Sequence, residues 1–222
     1  MNKLLSSMLV ALVTSVTVHS AFAQEVKGDA NKGAGKVAMC MGCHGIVGYQ
    51  ASFPEVHKVP MIAGQNARYI VAALNAYKTG ERKHPSMRGI ADSLSEQDMA
   101  DVAAFFEEQG KHGTAVTVPE QPREPSAQVA ELLKKGNCES CHGKNLNTPI
   151  DPAYPKIAGQ YADYLFVALR SYKTEGRNTW GRSNGVMAGI AKQFSNSELR
   201  QIAAYLQSLP GEVKTVPEPR FR

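Results

Sequence analysis

Cys40-Met41-Gly42-Cys43-His44 and Cys138-Glu139-Ser140-Cys141-His142 use all four cysteines of the 222-residue chain, and a histidine follows the second cysteine each time. C-x-x-C-H is the attachment signature of a c-type haem. The two thiols add across the vinyl groups of the macrocycle, and the next residue offers an imidazole to the iron. Cysteines three apart share a helix face, so both reach one edge of a flat ring. A disulfide framework would also use an even number of cysteines in an exported chain, but it gives the two histidines no role. Ribbon-type zinc sites place about 15–20 residues between their pairs; here a whole domain separates Cys43 from Cys138. A thioredoxin-like pair expects a βαβ setting, and neither half shows one. The rest of the chain reads as scaffolding for two haems.

That scaffolding is an internal duplication. Pro60 to Thr79 recurs as Pro155 to Thr174 at one constant offset, with Pro-x-Ile-Ala-Gly-Gln ending the loop after each haem motif. An amphipathic helix follows each time. Tyr69, Ile70, Ala73, Leu74 and Tyr77 match Tyr164, Leu165, Ala168, Leu169 and Tyr172, one apolar stripe on a 3.6-residue period. Both helices are expected to end alike, at Tyr77-Lys78-Thr79 and Tyr172-Lys173-Thr174. Met87-Arg-Gly-Ile-Ala91 recurs as Met187-Ala-Gly-Ile-Ala191, and each is followed by a capping-box start, Ser95-Glu-Gln-Asp98 and Ser195-Asn-Ser-Glu198. Helices are expected over 98–108 and 198–208. Ahead of the haem motifs, 28–39 reads as a glycine-weakened helix running into Cys40, and 126–137 as a stronger helix with Ser126 as its N-cap. Each unit thus shows three helical segments and no convincing strand.

The duplication selects the second axial ligand. Thioether sulphur opposite histidine is a common haem ligation and raises the reduction potential. Any one of the eight methionines is a weak choice alone, since most methionines fill gaps in cores. Met87 and Met187 stand at equivalent positions in both repeats. Met61 and Met99 align with Lys156 and Leu199, and His57 has no counterpart. His84, close to Met87, remains a rival.

Residues 1–23 carry a lysine, an apolar run and an Ala21-Phe22-Ala23 cleavage site, the pattern of a secretory signal, with the mature chain starting at Gln24. Covalent haem attachment needs a compartment outside the cytosol, and a bacterial periplasm fits both readings. Two domains are expected, 24–113 and 126–222, joined by a proline-rich linker over 114–125. The first half balances ten basic against ten acidic side chains; the second, from 114 on, has fourteen against ten. Four haem propionates act against that excess. The basic residues are scattered rather than clustered, so the charge does not argue for nucleic acid.

Together the C-x-x-C-H, Pro-x-Ile-Ala-Gly-Gln, Tyr-Lys-Thr and Met-x-Gly-Ile-Ala pairs resemble the dihaem cytochrome c4 family over residues 25–210. The resemblance implies an all-α fold of two tandem class I cytochrome c domains, each wrapped round one covalent haem c. It implies Cys40 and Cys43 on one haem and Cys138 and Cys141 on the other, with His44/Met87 and His142/Met187 on the irons. Pro60 and Pro155 would lie beside the proximal histidines. The domains would pack about a pseudo-two-fold axis with the propionates near the interface. The function implied is single-electron transfer between a quinol-oxidising complex and a terminal oxidase or reductase, without catalysis. An alternative is the cytochrome subunit of an oxidoreductase such as a flavocytochrome sulfide dehydrogenase; a dihaem peroxidase would need an open distal site, against which the matched methionines argue. Two stretches depart from the pattern: the longer loop from Gly48 to Val59, and the insertion from Arg177 to Gly185 that carries the only tryptophan, Trp180.

Overall fold

The computed structural model describes residues 26–112, 123–174 and 179–217. Residues 1–25, where the signal reading falls, and most of the expected linker lie outside the described residues.

The first half runs α1 (Ala30–Ala34), α2 (Ala38–His44), β1 (Gln50–Ala51), β2 (His57–Lys58), α3 (Ala67–Thr79), β3 (Arg82–Lys83), α4 (Pro85–Asp92) and α5 (Glu96–His112). The second half repeats the plan as α6 (Ala127–Gly136), α7 (Glu139–His142), α8 (Ala162–Ser171), β4 (Gly181–Arg182), α9 (Gly185–Ala191) and α10 (Asn196–Gln207). Each half has its own apolar centre. In the first, Val37, Ile70, Leu74, Met99, Val102 and Phe106 meet; in the second, Leu132, Leu165, Phe166, Leu199, Ile202 and Leu206 do.

The expected helices form, with corrections that have local causes. The segment 28–39 is broken into α1 and α2. Gly33 sits where a Cβ would stand 2.2 Å from the Asp101 carbonyl oxygen, so glycine is what lets α1 lie directly on α5. Lys36, in the break, reaches back to Asp101 Oδ2 at 2.7 Å. The stretch over 98–108 starts earlier and ends later, as Glu96–His112. Serine is the cap itself, so the helix begins at the next residue rather than at the fourth of the box: Ser95 Oγ accepts the Asp98 N–H at 3.1 Å while Asp98 Oδ2 accepts the Ser95 N–H at 3.1 Å. Ser195 and Glu198 form the reciprocal box at α10. Ser126 caps α6 as expected, accepting from the Val129 N–H. The two stripe helices do not end alike: α3 continues to Thr79, whereas α8 stops at Ser171 and Tyr172 to Thr174 form a turn.

Two short antiparallel ladders, which the sequence does not display, add to the helices. Inside the long loop after the first haem motif, β1 and β2 pair antiparallel, Gln50 with Lys58 and Ala51 with His57. The second ladder joins the two halves: β3 pairs antiparallel with β4, setting Arg82 opposite Arg182 and Lys83 opposite Gly181. Pairings this short carry no alternating pattern that a sequence could display. The second ladder uses the insertion before Met187, and Trp180 beside it is buried with the Arg170 guanidinium 4.9 Å from its ring centre. More contacts tie the halves: Lys58 to Asp163 at 3.1 Å, Arg170 to Glu55 at 3.1 Å, and the Lys214 N–H to the Ala63 carbonyl at 2.8 Å.

Candidate haem-binding sites

Each C-x-x-C-H ends a short helix, α2 or α7, and the following loop folds back over the histidine. His44 Nδ1 lies 2.8 Å from the Pro60 carbonyl oxygen, and His142 Nδ1 lies 2.9 Å from that of Pro155. A carbonyl only accepts, so each Nδ1 carries the proton and donates. Nε2 is then the free lone pair on each ring, the tautomer an iron ligand needs. Burial lowers the pKa of both imidazoles, which keeps them neutral. The four cysteines are unpaired thiols rather than disulfides. Burial raises Cys40 to about 11 and raises Cys138 as well.

Met87 and Met187 fall at the same place in two matched helices. Pro85, Ser86 and Met87 open α4, and Gly185, Val186 and Met187 open α9, so each methionine is the third helical residue. Asn184 caps α9 by accepting the Met187 N–H at 2.9 Å. Both side chains are half-buried. Of the rivals, His84 stays open: its Nδ1 is buried without a hydrogen-bond partner among the described residues. Met99 is wholly enclosed in the first core. The backbone of Met61 is gripped by Gln160. His57 donates from Nδ1 to the Glu55 carbonyl at 2.8 Å and stacks on Tyr164 with ring centres 6.4 Å apart. His84 precedes α4 and meets Phe53 edge to face at 5.7 Å.

Between the halves lies a group that the sequence reading did not single out. Arg82 donates to the Tyr69 hydroxyl at 3.2 Å and to the Tyr164 hydroxyl at 2.8 Å. Arg182 donates to the same Tyr164 hydroxyl at 3.2 Å and to that of Tyr172 at 3.4 Å. Tyr77 faces the Arg82 guanidinium at 4.6 Å. Burial alone would raise the Tyr164 phenol, but the two guanidiniums outweigh it and pull it below the usual phenol value. Like charges directly opposite across a ladder repel, and Arg82 Nε is buried without a hydrogen-bond partner among the described residues. A pair of cations held together in this way calls for carboxylates, and a haem brings two. Thiols, neutral imidazole, matched thioether and paired guanidiniums together fit one haem in each half. A signal for the arginines did exist: Arg82 and Arg182 each stand five residues before the matched methionine.

The comparisons with known proteins give the family of this chain. Residues 30–109 and 126–210 each match the cytochrome c family. Cytochrome c4 of Azotobacter vinelandii is 32% identical over 94% of this chain and 100% of its own. A thiosulfate dehydrogenase electron acceptor of Stutzerimonas stutzeri is 28% identical over 90% of this chain and 91% of its own. Among solved structures, reduced recombinant cytochrome c4 from Pseudomonas stutzeri superposes with a TM-score of 0.60 at 31% identity, covering 82% of this chain and 99% of that one.

Proposed function

This chain belongs to the cytochrome c family in its dihaem c4 branch and is an electron-transfer protein with two covalent haem c groups; from that premise we propose a periplasmic carrier whose two irons are both six-coordinate. Cys40 and Cys43 would hold the first haem through thioethers, and Cys138 and Cys141 the second. His44 and Met87 would be the axial pair of the first iron, and His142 and Met187 that of the second. The haem would supply one-electron chemistry at iron, and these residues would set its potential and fill both axial positions. The Pro60 and Pro155 carbonyls orient the imidazoles through the bonds they accept. Arg82 and Arg182 would take the propionates of both haems, holding the two redox centres against one interface. No helix among the described residues is long and apolar enough to cross a membrane. Export would rest on residues 1–23.

The observation that carries this reading is the duplicated constellation: one imidazole–carbonyl bond and one third-position methionine in each half. A matched pair of methionines would close both distal sites, which suits a carrier and not a peroxidase. Upstream, a quinol-oxidising complex is the donor we favour, with a terminal oxidase or reductase as acceptor. A relative named as the electron acceptor of thiosulfate dehydrogenase supports a second donor class, a sulfur-oxidising oxidoreductase.

The test is the spectrum of the ferric holoprotein with haem counted per chain. Two haems and two equivalents of the near-infrared methionine–iron band are expected. Met87→Ala and Met187→Ala should each remove one equivalent and lower one potential by on the order of 100 mV, within the ~0.8 V that axial ligation spans. One band or none in the unaltered protein, or a high-spin component, would put the enzyme reading first.

A further inference from the structure

Pro-x-Ile-Ala-Gly-Gln occurs twice, and its terminal glutamine has no part in the haem sites as described so far. Gln65 and Gln160 are both buried, 4% exposed each. Each reaches across to the other half. Gln160 Oε1 accepts the Met61 N–H at 3.0 Å, and Gln160 Nε2 donates to the Met61 carbonyl at 2.8 Å. Gln65 Oε1 accepts the Lys156 N–H at 2.9 Å, and Gln65 Nε2 donates to the Lys156 carbonyl at 2.9 Å. Each amide is fixed in orientation by its own neighbour, since Oε1 also accepts the next residue's N–H, Tyr161 at 3.0 Å and Asn66 at 3.1 Å.

The chemistry follows from which peptide group is gripped. The Met61 N–H and the Pro60 carbonyl belong to one peptide unit, and that carbonyl accepts from His44 Nδ1. The Lys156 N–H and the Pro155 carbonyl likewise share one unit, accepting from His142. A continuous line therefore runs from the Gln160 oxygen through the 60–61 peptide to the His44 imidazole, and its mirror runs from Gln65 through the 155–156 peptide to His142. Hydrogen bonding at the N–H of an amide polarises its carbonyl and strengthens the next bond in the chain. A stronger acceptor at Nδ1 makes the imidazole a more basic ligand, which favours the ferric iron.

We propose that Gln160 and Gln65 are crossed positioning residues: the glutamine of each domain tunes the proximal histidine, and so the reduction potential, of the haem in the other domain. The inference rests on His44 and His142 being the proximal ligands. It makes the interface part of each redox centre and gives each half a means to sense how the other is docked.

The experiment uses the full dihaem protein. Gln160→Leu removes both clamp bonds to Met61, including the one at the N–H of the 60–61 peptide. Redox titration followed by haem-methyl NMR reads the two potentials separately, and the ferrous-state chemical shift of each His Nδ1–H reads the proximal bond directly. Gln160→Leu should raise the first-domain potential, changing its reduction equilibrium about threefold to tenfold, where tenfold corresponds to 59 mV for one electron. The His44 Nδ1–H signal should move and the second-domain potential should change less. Gln65→Leu should give the reverse pattern. Asp163→Asn weakens the interface at Lys58 without touching either clamp, and should produce no crossed pattern. If Gln160→Leu moves the second haem as much as the first, or moves neither, or if Asp163→Asn reproduces its effect, the proposal is overturned and the glutamines merely hold the domains together. The near-infrared bands report ligation independently, so a failed ligand assignment and a failed clamp give different results.

Discussion

The two halves agree closely where the chain folds back on His44 and His142 and differ in the exposed residues around the C-x-x-C-H motifs. His44 and His142 make the same bond at 2.8 and 2.9 Å. The Gly64 N–H reaches the Phe106 carbonyl, and the Gly159 N–H the Leu206 carbonyl, both at 2.8 Å. Lys78 caps the Leu94 carbonyl as Lys173 caps that of Phe194, both at 2.6 Å. Around the motifs, however, the exposed residues include Met39, Gly42, Ile46, Val47 and Tyr49 in the first half and Asn137, Glu139, Ser140, Lys144 and Asn145 in the second. What has stayed the same is what an iron ligand needs; what has diverged is what a partner protein would touch. Two redox centres built on one plan can thus face different partners.

The sharpest way to break that equivalence is at the paired glycines of the conserved frame. Gly64 and Gly159 both have positive φ, 83° and 75°. A Cβ on Gly64 would stand 2.4 Å from the Glu212 carbonyl oxygen, while one on Gly159 would meet the Gly211 Cα at 3.0 Å. Left-handed strain costs roughly 1–2 kcal/mol for a non-glycine residue, and the backbone clash adds to it. Gly64→Ala should therefore cost about 3 kcal/mol or more, and Gly159→Ala about 2 kcal/mol. Chemical denaturation followed at each haem's Soret band would read the difference. Because Glu212 belongs to the second half, Gly64→Ala should also loosen the interface; equal costs for the two variants would mean the frames are interchangeable.

Titration sharpens the comparison in the core of the terminal helices. Asp101 is fully buried and accepts from Lys36, Gln97 and the Asp29 N–H. Its hydrogen bond from Lys36, ahead of the opposing effect of burial, holds its carboxyl below the usual carboxylate range. A depressed pKa stabilises the fold above the unfolded value near ~3.9, and that stabilisation is lost as pH falls through the lower folded value. The equivalent residue in the second half is Gln201, which does not titrate. Acid should therefore weaken the first domain below about pH 4 by a route absent from the second. Asp101→Asn should lower first-domain stability at neutral pH and flatten its acid dependence; parallel acid profiles in the unaltered halves would refute the assignment.

Much of this molecule was legible because its signals are local or repeated. C-x-x-C-H, the helix stripes, the Ser195–Glu198 box and the matched methionines each depend on residues within a few positions, and duplication turned weak signals into strong ones. The arginines recur at matched positions, but their pairing across the halves and the glutamine clamps were not legible. Both join residues far apart in sequence, through groups whose ordinary reading is a solvated surface. Their pairing is reciprocal between the halves: Arg82 stands opposite Arg182, and each glutamine holds a residue equivalent to the one the other holds. The split of 28–39 was missed for a related reason: Gly33 is explained by the backbone of α5, not by its neighbours.

The smallest expected effect bears on the divergent rims. Lys144 lies two residues after the second haem motif, where the first half has Ile46. The first half balances its charges and the second is basic, so an acidic partner is attracted to the second edge and gains little at the first. Rim charges act mainly on encounter rate and on its salt dependence. Lys144→Glu should slow electron exchange with an acidic redox partner a few-fold at low ionic strength, and the effect should vanish near 1 M salt, where the screening length falls to about 3 Å. Ile46→Lys should make exchange at the first edge salt-sensitive where it was nearly indifferent. Stopped-flow rates against ionic strength, taken for donor and acceptor separately, decide the point. Equal salt slopes at both edges would mean that both haems meet their partners through the same kind of surface, leaving the different rims without consequence for partner choice.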